Sequence, residues 1–210
     1  MQITDLKVTK KGRIALFCDD IFYFSLSPDS VAEHGLEIGD EIDTFLLSQL
    51  SKEADYSKAM DKALTYLDIR MHTRKEIVMK LRKNFDEITA DAVADKLEDY
   101  GYINDTDFAD TAFHSLFERK QMSSRGARQY LYQRGIRTDD PVIAPMFEEF
   151  SEGEVDRIVE LIGKKYRDRL GTKESADKVI ASLARKGFSL SDIRKAIARI
   201  NEEIEVEYDE

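Results

Sequence analysis

The sequence predicts a mainly α-helical protein of three tandem three-helix repeats, preceded by a small N-terminal β unit. Three observations carry this. Glycine and proline are scarce, ten and three in 210 residues, so little interrupts long helices. From about residue 43 onward, apolar residues recur at the three- and four-residue spacing of one helix face. A helix-ending pattern also occurs three times at near-constant spacing, the mark of a repeat architecture.

The N-terminal stretch has a different period. Ile3, Leu6 and Val8 precede the turn residues Lys10-Lys11-Gly12. Ile14-Ala15-Leu16-Phe17-Cys18 and Ile21-Phe22-Tyr23-Phe24 then flank Asp19-Asp20. Two apolar, aromatic-rich runs around a short polar pair predict a hairpin. A hairpin alone is marginal, so residues 2–8 are expected to add a third strand. Pro28 ends this stretch, and 29–36 reads as a short helix with Gly35 at its C-terminal end. The β unit is assigned to residues 1–50.

Helical faces follow. Ala59, Ala63, Leu64 and Leu67 share one; Ile77, Leu81 and Phe85 another; Val93, Leu97 and Tyr100 a third. Thr73-Arg74-Lys75-Glu76 is a capping-box pattern, in which the hydroxyl satisfies an orphan amide and the Glu reaches back. Ser151-Glu152-Gly153-Glu154 and Ser189-Leu190-Ser191-Asp192 have the same form.

The repeat is seen in Leu81-Arg82-Lys83-Asn84-Phe85, Leu131-Tyr132-Gln133-Arg134-Gly135-Ile136 and Leu183-Ala184-Arg185-Lys186-Gly187-Phe188, whose leucines lie 50 and then 52 residues apart. Gly and Asn adopt the left-handed turn that caps a helix C-terminus, and cations before it suit the negative end of the helix dipole. Such a unit holds three short helices, giving repeats over 54–105, 106–150 and 151–203 and an acidic tail over 204–210. In the second repeat Pro141 fits a helix start, whereas Pro145 either kinks that helix or delays it.

Charge and composition narrow the function. The formal charge of −10 argues against a generic nucleic-acid binder, yet it is uneven. Residues 1–53 hold five basic and ten acidic side chains, 151–200 hold twelve and eight, and 201–210 hold six acids and no base. No run approaches the ~20 apolar residues that span a bilayer, and Met1–Asp5 does not open a signal peptide. The single cysteine, Cys18, excludes an internal disulfide and suits a reducing cytoplasm.

Chemistry-bearing patterns are not found. His34, His72 and His114 lie at no metal-ligand spacing, and no base or nucleophile pairing is suggested for them. Cys18, in a strand-like run, reads as a small core residue. Gly101, Gly126, Gly135 and Gly171 are isolated and form no phosphate-cradling loop. The expectation is a protein that is not an enzyme, takes no cofactor or metal, and works as a monomer by binding a macromolecule.

The candidate binding residues are basic: Arg70, Arg74 and Lys75 in the first repeat; Arg125, Arg128 and Arg134 in the second; Lys164, Lys165, Arg167, Arg169, Arg185 and Lys186 in the third. Each is equally an ordinary helix-surface position balanced by nearby Glu and Asp. A stripe tracking a phosphate backbone is the sharper alternative, and Lys164-Lys165-Tyr166-Arg167-Asp168-Arg169, with one acid, favours it. Phe108, Phe113 and Phe117 are assigned to the core. Tyr130 and Tyr132 lie on different helix faces, so at least one is expected to be exposed.

Several of these stretches resemble the RecX family of bacterial regulatory proteins. Arg70-Met71-His72-Thr73-Arg74-Lys75-Glu76-Ile77 with Lys80-Leu81 looks like that family's first-repeat signature. Asp99-Tyr100-Gly101-Tyr102-Ile103-Asn104-Asp105 with Phe108-Ala109 is similar to its most specific motif. Arg134-Gly135-Ile136 and Arg185-Lys186-Gly187-Phe188 match the later repeat ends. The resemblance covers about 55–200 and departs at Asn84, where Gly is usual, and at Ser123-Ser124. It implies a curved, elongated array of three-helix repeats. It also implies binding along the groove of the RecA recombinase filament on DNA, blocking growth or altering activity. The alternative is a helical repeat module that binds nucleic acid alone, including single- or double-stranded DNA weakly.

Overall fold

The computed structural model describes residues 1–166 and 173–209, the side chains of 149, 173 and 203–209 excepted. It has two compact units, Met1–Ile103 and Asn104–Glu210.

The first unit opens with strands β1 (Ile3–Val8), β2 (Ile14–Cys18) and β3 (Ile21–Leu26), an antiparallel sheet in the order β1-β2-β3. The expected third strand is thus present. The two-residue β2–β3 turn needs left-handed backbone at both positions, and Asp19 and Asp20 supply it with φ of 47° and 64°. Asp tolerates this region because its short side chain bonds locally. Helix α1 (Pro28–Glu33) follows, capped by the Ser27 hydroxyl.

Helix α2 (Thr44–Leu67) has 24 residues, about 36 Å of rise. Its early turns carry Leu50 and Ala54 into a core with Ile3, Leu16, Cys18 and Leu26. Its later turns carry Ala59 and Ala63 into a second core with Ile77, Leu81, Val93 and Leu97. One helix therefore runs through residues 50–54 and serves both the sheet and the first three-helix group. Arg13 reinforces this join: its guanidinium donates to Ser57 Oγ at 3.0 Å, Asp61 at 3.1 Å and the Ser25 and Ala54 carbonyls. Helices α3 (Arg74–Leu81) and α4 (Glu87–Asp99) complete the group.

Two expectations meet different outcomes here. Thr73 caps α3, its hydroxyl accepting from the Glu76 amide at 3.2 Å. Asn84, expected to take a left-handed turn, does not. The Asn84 and Phe85 amides both donate to the Leu81 carbonyl, at 2.9 and 3.0 Å, and this tighter turn needs no left-handed residue. Gly135 and Gly187, at the other two repeat ends, are left-handed with φ of 89° and 94°.

The second unit holds α5 (Asp105–His114), a π-helical continuation over Ser115–Arg119, α6 (Ser124–Gln133) and α7 (Pro145–Ser151). Phe108, Phe113, Phe117, Leu131 and Phe147 form its first core. Pro145 begins α7, which settles the alternatives at the two prolines in favour of a delayed start. Helices α8 (Glu154–Lys165), α9 (Lys173–Arg185) and α10 (Leu190–Asp209) surround a second core that includes Ile158, Leu161, Ile162, Leu183 and Ile193.

Ser189 forms the expected capping interaction, its hydroxyl accepting from the Asp192 amide at 3.0 Å. Ser151 does not. It ends α7, its hydroxyl donating to the Phe147 carbonyl at 2.7 Å, and left-handed Gly153 precedes α8 instead. Glu154 reaches elsewhere, its carboxylate accepting from the Ser124 amide at 2.7 Å. The stretch read as a tail continues α10 through Asp209; it is rich in Glu and lacks Gly and Pro, so nothing stops the helix.

Candidate partner-binding surface

The candidate cations divide by what already holds them. Arg74 lies 3.1 Å from Asp91, 2.6 Å from Asp95 and 3.2 Å from Glu98. Those α4 carboxylates, Asp95 foremost, hold its guanidinium above its ordinary pKa. Arg70 donates to Glu76 at 2.9 Å and to the Met71 carbonyl. Arg128 donates to the Thr138 carbonyl at 3.2 Å and lies 4.4 Å from the Phe147 ring centre. Arg134 bonds the Tyr130 carbonyl and stacks 3.5 Å from the Tyr130 ring centre, over which Lys120 also lies at 4.6 Å.

In the third group, Lys164 pairs with Glu160 at 3.1 Å and Lys165 donates to Gln121 Oε1 at 2.7 Å. Lys186 donates to the Lys120 carbonyl, and burial pushes its pKa down. Arg167 and Arg169 lie outside the described residues. The remaining three, Lys75, Arg125 and Arg185, are exposed and make no ion pair among the described residues. Lys75 and Arg125 occupy matching places, each two residues past a hydroxyl N-cap, Thr73 and Ser123.

The structure adds a residue that sequence reasoning passed over. Arg157 on α8 donates to the Met122 carbonyl at 2.6 Å and the Phe150 carbonyl at 2.9 Å. Its guanidinium lies 5.1 Å from the Phe117 ring centre and 5.9 Å from those of Phe150 and Phe188. Desolvation lowers its pKa. Nearby, Gly126 and Gly187 meet backbone to backbone, and the Ser123 amide donates to the Lys186 carbonyl at 3.0 Å. These contacts fix the second and third helical groups to each other.

Beside them is a cavity of about 240 Å³ lined by Phe117, Gln121, Arg157, Leu161, Lys164 and Phe188. Gln121 has φ of 53°, uncommon for a residue with a Cβ. Glu118 and Glu160 complete the cavity's lining, and Glu160 is taken up by its pair with Lys164. Among the described residues no cluster of His, Cys, Asp and Glu is placed to hold a metal ion, and no helix is long and apolar enough to cross a membrane.

His72 and Cys18 take structural places, while His34 and His114 are exposed. His72 is 4% exposed and donates from Nδ1 to the Arg70 carbonyl at 3.0 Å; burial lowers its pKa below the ordinary 6.5. Cys18 is buried in the sheet core, and burial raises its thiol pKa. Phe108, Phe113 and Phe117 are core, and Tyr132 is 73% exposed while Tyr130 is half-buried.

Successive three-helix groups, each closed around its own apolar cluster, define a helical repeat protein. The family model described as RecX, first three-helix domain, matches residues 59–97, and that of the RecX third three-helix domain matches 152–197. Regulatory protein RecX of Staphylococcus aureus (strain JH9) is 28% identical over 205 residues, 93% of this chain and 73% of the relative. Its counterpart from Staphylococcus haemolyticus (strain JCSC1435) is 28% identical over 208 residues, 95% and 76% of the two chains. A crystal structure of regulatory protein RecX superposes with a TM-score of 0.65 at 24% identity, over 92% of this chain and 98% of that one. RecX from Lactobacillus salivarius gives 0.53 at 27% identity, over 70% and 97%. These matches support the RecX family of regulatory proteins.

Proposed function

We propose that this chain binds the RecA recombinase filament and modulates it, mainly by inhibiting its ATPase, strand exchange and growth. It does so as a monomer in the cytoplasm, by occupancy and without a catalytic group. The likeness to RecX proteins supports the reading. The observation that carries it is the repeat of three-helix groups bearing exposed cations, Lys75, Arg125 and Arg185, that make no ion pair among the described residues. A filament is itself a repeat of protein and phosphate, and a repeat protein meets it at several places at once. Tandem contacts raise overall avidity well beyond any single one.

The test is co-sedimentation with RecA filaments assembled on single-stranded DNA. Wild type is expected in the pellet. The triple variant Lys75→Glu, Arg125→Glu, Arg185→Glu is expected to bind at least tenfold more weakly with an unchanged melting temperature, these side chains being exposed. Equal pelleting would move the interface to other residues, and absence of wild type from the pellet would refute the function. Salt-sensitive binding to DNA without RecA, together with that absence, would favour a nucleic-acid module acting alone.

A further inference from the structure

The first three-helix group leaves a groove open between α2 and α4. Tyr56, Met60 and Leu64 recur every fourth residue along α2 and form one wall, about 12 Å long. Buried Leu97 is the floor, and Lys96 and Tyr100 at the end of α4 form the other wall. Left-handed Gly101, with φ of 73°, turns the chain back. The Tyr102 amide then donates to the Leu97 carbonyl at 2.9 Å, and the Tyr102 ring stands edge-on to that of Tyr100 with centres 6.4 Å apart. The groove encloses about 640 Å³, a volume typical of recognition pockets. Tyr100 shares a helix face with Val93 and Leu97, yet they are fully buried while it is 63% exposed and Tyr102 is 60% exposed. Two rings beside an apolar stripe are costly to leave in water.

The charged side chain in this groove is a cation. Lys96 is half-buried, its ammonium 4.6 Å from the Tyr100 ring centre, and it makes no ion pair among the described residues. The hydroxyls of Tyr56, Tyr100 and Tyr102 make no hydrogen bond among them either. Burial raises the Tyr56 pKa, and Lys96 and Tyr100 are close enough to act on it. The acids of both helices are placed elsewhere. Asp91, Asp95 and Glu98 meet Arg74, on roughly the opposite side of α4 from Lys96 and Tyr100. On α2, Glu53 pairs with His34, Asp55 with Lys58 and Asp61 with Arg13. Asp99 is exposed. A half-buried cation without a counter-charge favours an anion. One cation on helices this acidic does not suit a polyanion; it suits a single carboxylate.

A trough between two packed helices, with apolar residues every fourth position along one wall, fits a third helix that lays an apolar stripe into it. About 12 Å takes two turns of such a helix, hence two anchors one turn apart. We propose that this groove docks a helical segment of a partner protein, which sets two apolar side chains against Met60, Leu64 and Leu97 and a single carboxylate on Lys96. Tyr100 and Tyr102 close over the anchors, and tyrosines around a desolvated anchor carry much of the energy of an interface. This goes beyond the recombinase reading and does not depend on it.

The experiment uses the full chain and a displayed library of Ala-rich helical peptides about 16 residues long, randomised along one face. Clones are selected on wild type and counter-selected on the double variant Tyr100→Ala, Tyr102→Ala. Enriched peptides are expected to carry apolar residues at i and i+4 with an Asp or Glu beside them. By anisotropy, the labelled peptide should bind Tyr100→Ala about tenfold more weakly than wild type. Lys96→Glu should weaken it to a similar degree, and replacing the peptide's acid with Lys should restore binding to Lys96→Glu alone. That exchange of charge reports contact rather than folding. The three side chains are exposed or half-buried, so melting temperatures should match wild type. No enriched clone, clones that bind the double variant equally, or a basic consensus would overturn the proposal. Sedimentation of the wild type without peptide tests the other occupant: a dimer dissolved by Tyr100→Ala would assign the groove to a second copy of this chain and overturn it as well.

Discussion

Gly126→Ala tests the join between the second and third helical groups. Gly126 lies inside α6 with ordinary helical backbone, so in isolation the change should favour the helix by up to ~1 kcal/mol. The surroundings oppose it. A Cβ there would overlap the Lys186 carbonyl oxygen and lie 3.0 Å from its carbon and 3.2 Å from the Gly187 Cα. All three are backbone atoms, and no side chain can rotate away. Overpacking of this kind costs roughly 1–3 kcal/mol, and separating the segments also stretches the 3.0 Å bond from the Ser123 amide to Lys186, worth about 1 kcal/mol. The net expectation is destabilisation of roughly 1–3 kcal/mol. At about 2–4 °C per kcal/mol for a chain of this size, the melting temperature should fall by several degrees. Gly163→Ala in α8 is the control, since nothing lies within 4 Å of its Cβ; it should be neutral or stabilising. Thermal melts followed by far-ultraviolet circular dichroism decide the matter. A Gly126→Ala protein that melts at or above wild type would refute the close approach.

Other consequences are equally open to measurement. Arg157→Met should destabilise the second unit by about 2–4 kcal/mol in urea unfolding, because two carbonyls lose charge-assisted bonds; Arg157→Lys should recover only part, since one ammonium cannot fork to both. Phe147→Ala, removing a ring with no exposure, should cost about 3–5 kcal/mol, and a loss under ~1 kcal/mol would contradict the packing. His72 gives a pH dependence. Its folded pKa lies below the ordinary 6.5 because burial disfavours the charged ring, so below 6.5 the unfolded chain binds the extra proton more readily. The stabilisation is present above pH 6.5 and lost as pH falls from there through the folded pKa. A melting temperature insensitive to pH across that window, or one equally sensitive after His72→Gln, would show that His72 is not the group responsible.

What the sequence disclosed follows from which interactions are local. Strand alternation over 3–24, the Thr73 cap and the left-handed Gly135 and Gly187 are each set within a few residues, and they were legible. Asn84 departs from the expectation because its residue type permits a left-handed turn without requiring one; a shorter connection closes on Leu81 instead. Ser151 and Glu154 carry a capping spacing, but Ser151 bonds back to Phe147 within α7 and Glu154 reaches Ser124 on α6. The cations show the same limit. Nothing within the sequence neighbourhood of Arg74 announces Asp91, Asp95 and Glu98, and nothing in α8 distinguishes Arg157 from the exposed arginines. Whether an arginine is available to a partner depends on contacts 20 or more residues away, which periodicity does not encode.

The most direct test of the account is ATP hydrolysis by RecA on single-stranded DNA, titrated with this protein. The account predicts a dose-dependent fall that is already visible at substoichiometric amounts, as occupancy of a filament end or groove requires. A rate that stays flat to a molar excess over RecA would contradict it.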